Sequence, residues 1–182
     1  MRYFKKLVGE SVYLSPINPD DAELYTKWVN DAEMTQFLMM HSKVYGLASE
    51  REALERLADG GYNLAIVRAQ DDAPIGGITL NGIDCVYRKG MLGIYIGETE
   101  NCSKGYGAEA IRLLLGFAFD TLGLHNINLQ LHSDNARALA CYTKVGFREY
   151  GRRHECVFKH GRYFDEIDME ILEDDFRASQ RK

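Results

Sequence analysis

The segment Glu98-Thr99-Glu100-Asn101-Cys102-Ser103-Lys104-Gly105-Tyr106-Gly107-Ala108-Glu109-Ala110 limits the fold of this 182-residue chain more than any other. Before it, Met91 to Ile96 reads as a strand. After it, Tyr106 to Thr121 reads as a long helix with Ala110, Leu113, Leu114, Phe117 and Ala118 on one face and Gly123 marking its end. Two glycines at the mouth of a helix let the main chain approach a ligand closely, and the N–H groups of the first turn lack intrahelical acceptors. With the helix dipole they form an anion site suited to a phosphate or diphosphate. Turn geometry alone is the other reading of the same glycines.

The flanking chain supplies the architecture. Val12 to Leu14 reads as a strand stopped by Ser15 and Pro16. Asn18, Pro19 and the acidic pair Asp20 and Asp21 then start a helix with the stripe Leu24, Tyr25, Trp28 and Val29. The stretch from Asp31 to Gly46 reads as irregular, and a second helix runs from Ser49 to Asp59 before Gly60 and Gly61. Asn63 to Arg68 and Ile75 to Leu80 read as strands, and Ile127, Leu129 and Leu131 alternate as another. A helix starts near Asn135 and stops at Gly146. Two closing strands are joined by a turn at His160 to Arg162. In the last strand Ile167, Met169 and Ile171 alternate with Glu166, Asp168 and Glu170, whose acidic row reads as a solvated face. The order strand, two helices, three strands, helix, strand, helix, two strands argues an α/β (α+β) fold with a sheet of mixed direction and helices packed on it. With 46% hydrophobic and 27% charged residues, one globular domain over 1–182 is expected.

Other phosphate-binding patterns fit poorly. Gly105-x-Gly107-x-x-Ala110 matches a relaxed dinucleotide fingerprint, but about eight residues separate Ile96 from Gly105, and Asp134 lies too far on to serve as the ribose acid. Too little chain remains for a doubly wound sheet, and no GxxxxGK[ST] occurs. Five histidines without HxxxH spacing, and Cys85, Cys102, Cys141 and Cys156 without CxxC, argue against a metal site. Neither spacing nor a local motif supports Cys102 with His125 or His132 as a nucleophilic pair. A formal net charge of −5 speaks against non-specific nucleic-acid binding, and the longest apolar run, Leu113 to Phe119, is far short of a membrane span. No secretory signal pattern follows the basic start, so a soluble, cytoplasmic protein is expected, with self-association into a homo-oligomer left open.

A second constellation lies at Asn135-Ala136-Arg137-Ala138-Leu139-Ala140-Cys141-Tyr142-Thr143-Lys144-Val145-Gly146-Phe147. Seven residues separate Asn135 from Tyr142, two helical turns, so both point nearly the same way. Read alone, a tyrosine such as Tyr142 is more often a core residue with a satisfied hydroxyl.

Together the two segments resemble the GNAT acetyltransferases. Trp28-Val29-Asn30-Asp31 and Gly161-Arg162-Tyr163-Phe164-Asp165 are similar to the branch holding ribosomal-protein N-terminal acetyltransferases and spermidine acetyltransferases. The resemblance spans nearly the whole chain. It implies a mostly antiparallel central sheet, splayed at the cofactor site, with helices on both faces.

It also implies acetyl-CoA as co-substrate without a metal. Tyr95, Ile96 and Gly97 would offer backbone groups to the pantetheine and thioester at a bulge, and Lys104, Gly105, Tyr106, Gly107 and Ala108 would hold the diphosphate. Asn135 and Lys144 join this cofactor set, and Tyr142 would sit by the sulfur. Cys102 stands where the family has Gln or Arg, and Ser103 where it commonly has glycine, a departure expected to weaken binding at most.

The expected reaction is acetyl transfer to a primary amine, on a small molecule or a protein N-terminus, by direct attack on the thioester. Such an amine, with a pKa near ~10.4, must lose a proton first, and Glu98 is the candidate base. A backbone N–H near Ile96 is the candidate oxyanion donor, and Tyr142 the candidate acid toward the departing thiolate. Acceptor choice is expected in Glu33 to Gly46, with Met39, Met40 and His41, and in the turn from Arg153 to Arg162. The alternative is a non-catalytic acyl-CoA-binding regulatory module on the same fold.

Overall fold

The computed structural model describes residues 3–38 and 41–180 and divides the chain into two compact units, residues 1–80 with 94–113, and residues 81–93 with 114–182. Met39 and Met40 lie outside the described residues.

In the first unit, Leu7–Val8 (β1), Val12–Pro16 (β2), Tyr62–Arg68 (β3) and Ala73–Asp84 (β4, as far as Leu80) pair in that order, each antiparallel to the next. The register runs Val12↔Arg68 to Pro16↔Leu64 between β2 and β3, and Tyr62↔Leu80 to Arg68↔Ala73 between β3 and β4, with an irregularity at Ile66/Val67. Val12, Tyr13, Leu14 and Ser15 are all buried, so β2 is covered on both faces and shows no polar alternation.

The helices of this unit begin where the caps are. The Asn18 side chain accepts the Asp20 N–H at 3.1 Å, Pro19 opens a 3-10 turn through Asp21, and Ala22–Val29 forms α1. The stretch expected to be irregular holds a further single turn, Ala32–Thr35 (α2), because the Asp31 carboxylate accepts the N–H groups of Glu33 and Met34. One turn is too short to show a periodicity. Leu47–Ala58 (α3) stops ahead of Gly60 and Gly61, both at positive φ. Tyr25 and Trp28 of α1 pack with Leu54 of α3, Tyr13, Ala65 and Val67 in the core of this unit.

In the second unit the order is Lys89–Ile96 (β5, as far as Gly93), Asn126–His132 (β6), Arg162–Leu172 (β8) and Arg148–Lys159 (β7). β6 pairs antiparallel with β8 from Asn126↔Leu172 to His132↔Glu166, and β8 antiparallel with β7. A parallel ladder of β5 with β6 joins Lys89–Met91 to Asn126–Asn128. The expected mixed, mostly antiparallel arrangement is therefore present.

The helices are Tyr106–Asp120 (α4, from Leu114 in this unit), Ala136–Val145 (α5) and Glu173–Ser179 (α6). α6 is absent from the sequence reading, since its seven residues carry one buried apolar anchor, Phe176, whose ring lies 5.4 Å from that of Phe119. The acidic row of β8 is corrected as well. Instead of facing solvent alone, Glu166, Asp168 and Glu170 are half-buried and accept from Arg153, Gln130 and Asn126 at 2.8, 2.8 and 2.7 Å on the flanking strands.

Candidate functional site

The glycine turn and the end of β5 lie in the first unit. Gly76 and Gly77 of β4 make room for Tyr95, since a Cβ at Gly76 would run into the Tyr95 carbonyl oxygen and one at Gly77 would stand 2.8 Å from its ring. The Gly97 N–H donates to the Ile75 carbonyl at 2.9 Å and is committed to β4. By the alternation of an antiparallel strand, the Ile96 N–H and C=O point to the other edge. Gly97 is buried against the Trp28 indole, which a Cβ there would strike.

Glu98 follows, and its carboxylate accepts from Lys27 Nζ at 2.7 Å. That hydrogen bond holds the Glu98 carboxyl below the ordinary range, which keeps it ionised and makes it a weaker base. A 3-10 turn at Thr99–Asn101 leads to the glycines, and buried Asn101 anchors it by accepting from Arg68 Nη1 at 2.9 Å. Arg68 is itself held by a two-pronged contact to Asp71, at 2.9 and 2.7 Å.

The chain turns through positive φ at Ser103 (58°) and Gly105 (90°), and α4 begins at Tyr106. The left-handed backbone at 103 is one that glycine adopts freely and serine at a small cost. A Cβ on Gly105 would meet nothing within 4 Å, and one on Gly107 only Ile94 Cδ1 at 3.9 Å. Glu109 N–H is bonded to the Gly105 carbonyl at 3.0 Å, so helix geometry leaves the donors of the preceding turn without intrahelical partners. Lys104 is exposed, Tyr106 and Gly107 are half-buried and Ala108 is buried. An open glycine surface, aligned N–H donors and one lysine suit a diphosphate.

Asn135, Tyr142 and Lys144 lie in the second unit. Asn135 caps α5, its Oδ1 accepting the Ala138 N–H at 3.1 Å, which leaves its amide N–H groups as its outward donors. Tyr142 is 9% exposed, its ring 6.0 Å from that of Phe147. Its hydroxyl has no hydrogen-bond partner among the described residues, and burial pushes the phenol up, so it stays a neutral donor. Lys144 is exposed in the last turn of α5.

Three polar groups of the first unit escape a reading of the sequence. Tyr25 Oη and Trp28 Nε1, read as members of an apolar stripe, are buried polar atoms, the first beside the Tyr95 hydroxyl and the second beside the Glu98 carboxylate. Glu50, read as one more helical residue, is 7% exposed. Its one sequence signal is the four-residue spacing to Leu54, which puts a carboxyl on a core-facing side of α3.

Among the described residues no group of three or more His, Cys, Asp or Glu is arranged to hold a metal ion, and no helix is long and apolar enough to cross a membrane.

Comparison with known proteins agrees with this geometry. A family model described as an acetyltransferase (GNAT) domain matches residues 11–148. A probable N-acetyltransferase of Bacillus subtilis, YjcK, is 29% identical over 178 residues, covering 93% of this chain and 98% of the relative. The spermidine N(1)-acetyltransferase of Vibrio cholerae is 34% identical over 99 residues, 54% of this chain and 57% of the relative. The crystal structure of spermidine N-acetyltransferase from Vibrio cholerae in complex with CoA and spermine superposes with a TM-score of 0.81 at 24% identity, covering 93% of this chain and 99% of that one.

Proposed function

This chain belongs to the GNAT acetyltransferase family, and from that premise we propose that it acetylates the primary amine of a small molecule by direct attack on the thioester, with a protein N-terminus as the other acceptor class. That it is an N-acetyltransferase using acetyl-CoA follows from the family. The observation that carries the reading is the open Gly105-Tyr106-Gly107 turn at the head of the 15-residue helix α4, reached from β5 through the 3-10 turn at Thr99–Asn101. A small amine is favoured by the spermidine N(1)-acetyltransferase among the relatives.

The residues present fit the cofactor. The backbone donors from Lys104 to Ala108 take the diphosphate, while Asn135 and Lys144 offer amide and ammonium donors to the rest of it. Acetyl-CoA, when bound, supplies an acetyl group activated as a thioester. Of the β5 backbone groups, the Ile96 N–H is the donor for the developing oxyanion, since the Gly97 N–H is already bonded to Ile75. Tyr142 holds a proton for the leaving sulfur in a hydroxyl that no other residue claims. Glu98, kept ionised by Lys27, serves the incoming amine through water rather than as a strong base. In this reading the whole chain works as one domain.

A thiol-release assay with acetyl-CoA tests it against diamines, polyamines, amino acids, aminosugars and peptide N-termini. Turnover with small amines is expected. Tight CoA binding with no turnover on any acceptor would replace the enzyme by a cofactor-binding module.

A further inference from the structure

Glu50 is a nearly buried carboxyl with no hydrogen bond or ion pair among the described residues, and burial raises its pKa. Partial burial makes such a charge costly to keep in a fold. It stands one turn before Leu54 on α3, and Leu54 packs in the same core as Tyr25 and Trp28.

Those two rings are 5.0 Å apart, and the Tyr95 ring meets both edge-on at 6.5 and 6.3 Å. The Glu50 charge acts on the phenols of both Tyr25 and Tyr95, as Asp21 and Tyr3 act on Tyr25. Asp21 already accepts from the Tyr3 hydroxyl at 2.9 Å. The set therefore contains a nearly buried carboxyl without a partner among the described residues and three aromatic rings, with the Tyr25 hydroxyl beside that of Tyr95.

A carboxylate and aromatic faces both attract a cation. The nearby basic side chains of this unit are engaged elsewhere: Lys27 with Glu98, Arg51 with Asp20 and Arg68 with Asp71. The rings also adjoin the end of β5, Tyr95 being the residue before Ile96 and Trp28 lying on Gly97.

We propose that Glu50, with the rings of Tyr25, Trp28 and Tyr95, forms the recognition site for the ammonium group of a small cationic acceptor. The carboxylate supplies the counter-charge, the Tyr25 hydroxyl accepts from the ammonium, and the rings exclude neutral hydrophilic acceptors. The inference rests on the acetyltransferase reading and names the substrate class of that site.

Trp28 is the sole tryptophan of the chain, so its emission reports binding without turnover. Spermidine and n-butylamine are titrated into the full-length protein, and steady-state rates are measured with the same amines. In the native protein a saturable change in emission is expected. In Glu50→Gln the amine Kd and KM rise about 30-fold or more, the scale for removing one partner of a desolvated charge pair, while CoA affinity is unchanged. Glu50→Asp, which keeps the charge on a shorter arm, recovers part of the loss. A purely structural Glu50 would not split amine affinity from CoA affinity, and the thermal melt of each variant verifies its folding.

An amine that is acetylated without altering Trp28 emission, or a folded Glu50→Gln with amine KM within about threefold of native, overturns the proposal and leaves the enzyme reading standing. Emission that responds to amines in a protein that acetylates none of them supports the binding site and overturns the reaction. No response and no acetylation overturn both.

Discussion

Replacing Tyr142 by phenylalanine removes one oxygen and keeps the ring against Phe147, 6.0 Å away. Because that hydroxyl has no hydrogen-bond partner among the described residues, its loss forfeits no internal hydrogen bond, which elsewhere contributes about 1 kcal/mol. The melting temperature is therefore expected to stay within about 2 °C of native. Turnover is another matter. An unperturbed phenol near ~10 lies about 1.5 units above a thiol near ~8.5, so full proton transfer to a thiolate is uphill by about 2 kcal/mol, and burial of Tyr142 widens the gap. In the proposed mechanism the hydroxyl then acts mainly by donating a hydrogen bond as charge develops on sulfur. One such positioned donor is worth roughly 10²–10³ in turnover, the lower part of the range for a general acid. The assay follows thiol release at saturating acetyl-CoA and amine, with a thermal melt and a CoA titration on the same preparation. Unchanged turnover with a lowered melting temperature would refute the reasoning, since it would make Tyr142 a packing residue.

Gly107→Val is expected to fold, because a Cβ there meets only Ile94 Cδ1 at 3.9 Å, and to raise the KM for acetyl-CoA strongly by holding the diphosphate off the main chain. Near-normal cofactor affinity in the folded variant would remove the diphosphate from this turn. Gly97→Ala forces a methyl into the Trp28 indole and should cost about 1–3 kcal/mol, roughly 2–12 °C in melting temperature, checked by calorimetry. Lys27→Gln releases Glu98 from the hydrogen bond that depresses its pKa, so that pKa rises. If Glu98 assists amine deprotonation, the acid limb of the kcat/KM profile moves to higher pH in this variant, and an unmoved limb takes Glu98 out of the mechanism.

What the sequence determined by itself is local. The Asn18 cap, the helix start near Asn135, the stops at Gly60 and Gly146, the long apolar face of α4 and the alternation of β8 each act through neighbours a few residues apart, and each is found in the structure. The glycine turn was legible for the same reason, and so was the family once two such segments stood at one spacing. Tertiary structure decided what depends on distant partners. Lys27 and Glu98 are 71 residues apart, and their pairing makes the candidate base a weaker one. The bond from Gly97 to Ile75 leaves the Ile96 N–H as the donor for the proposed oxyanion contact. Within α3 only the four-residue spacing to Leu54 sets Glu50 apart from a surface glutamate, because burial is set by which element packs over a side chain. Periodicity records the face a helix presents to the core, but it cannot record that a carboxyl on that face has been left without a partner.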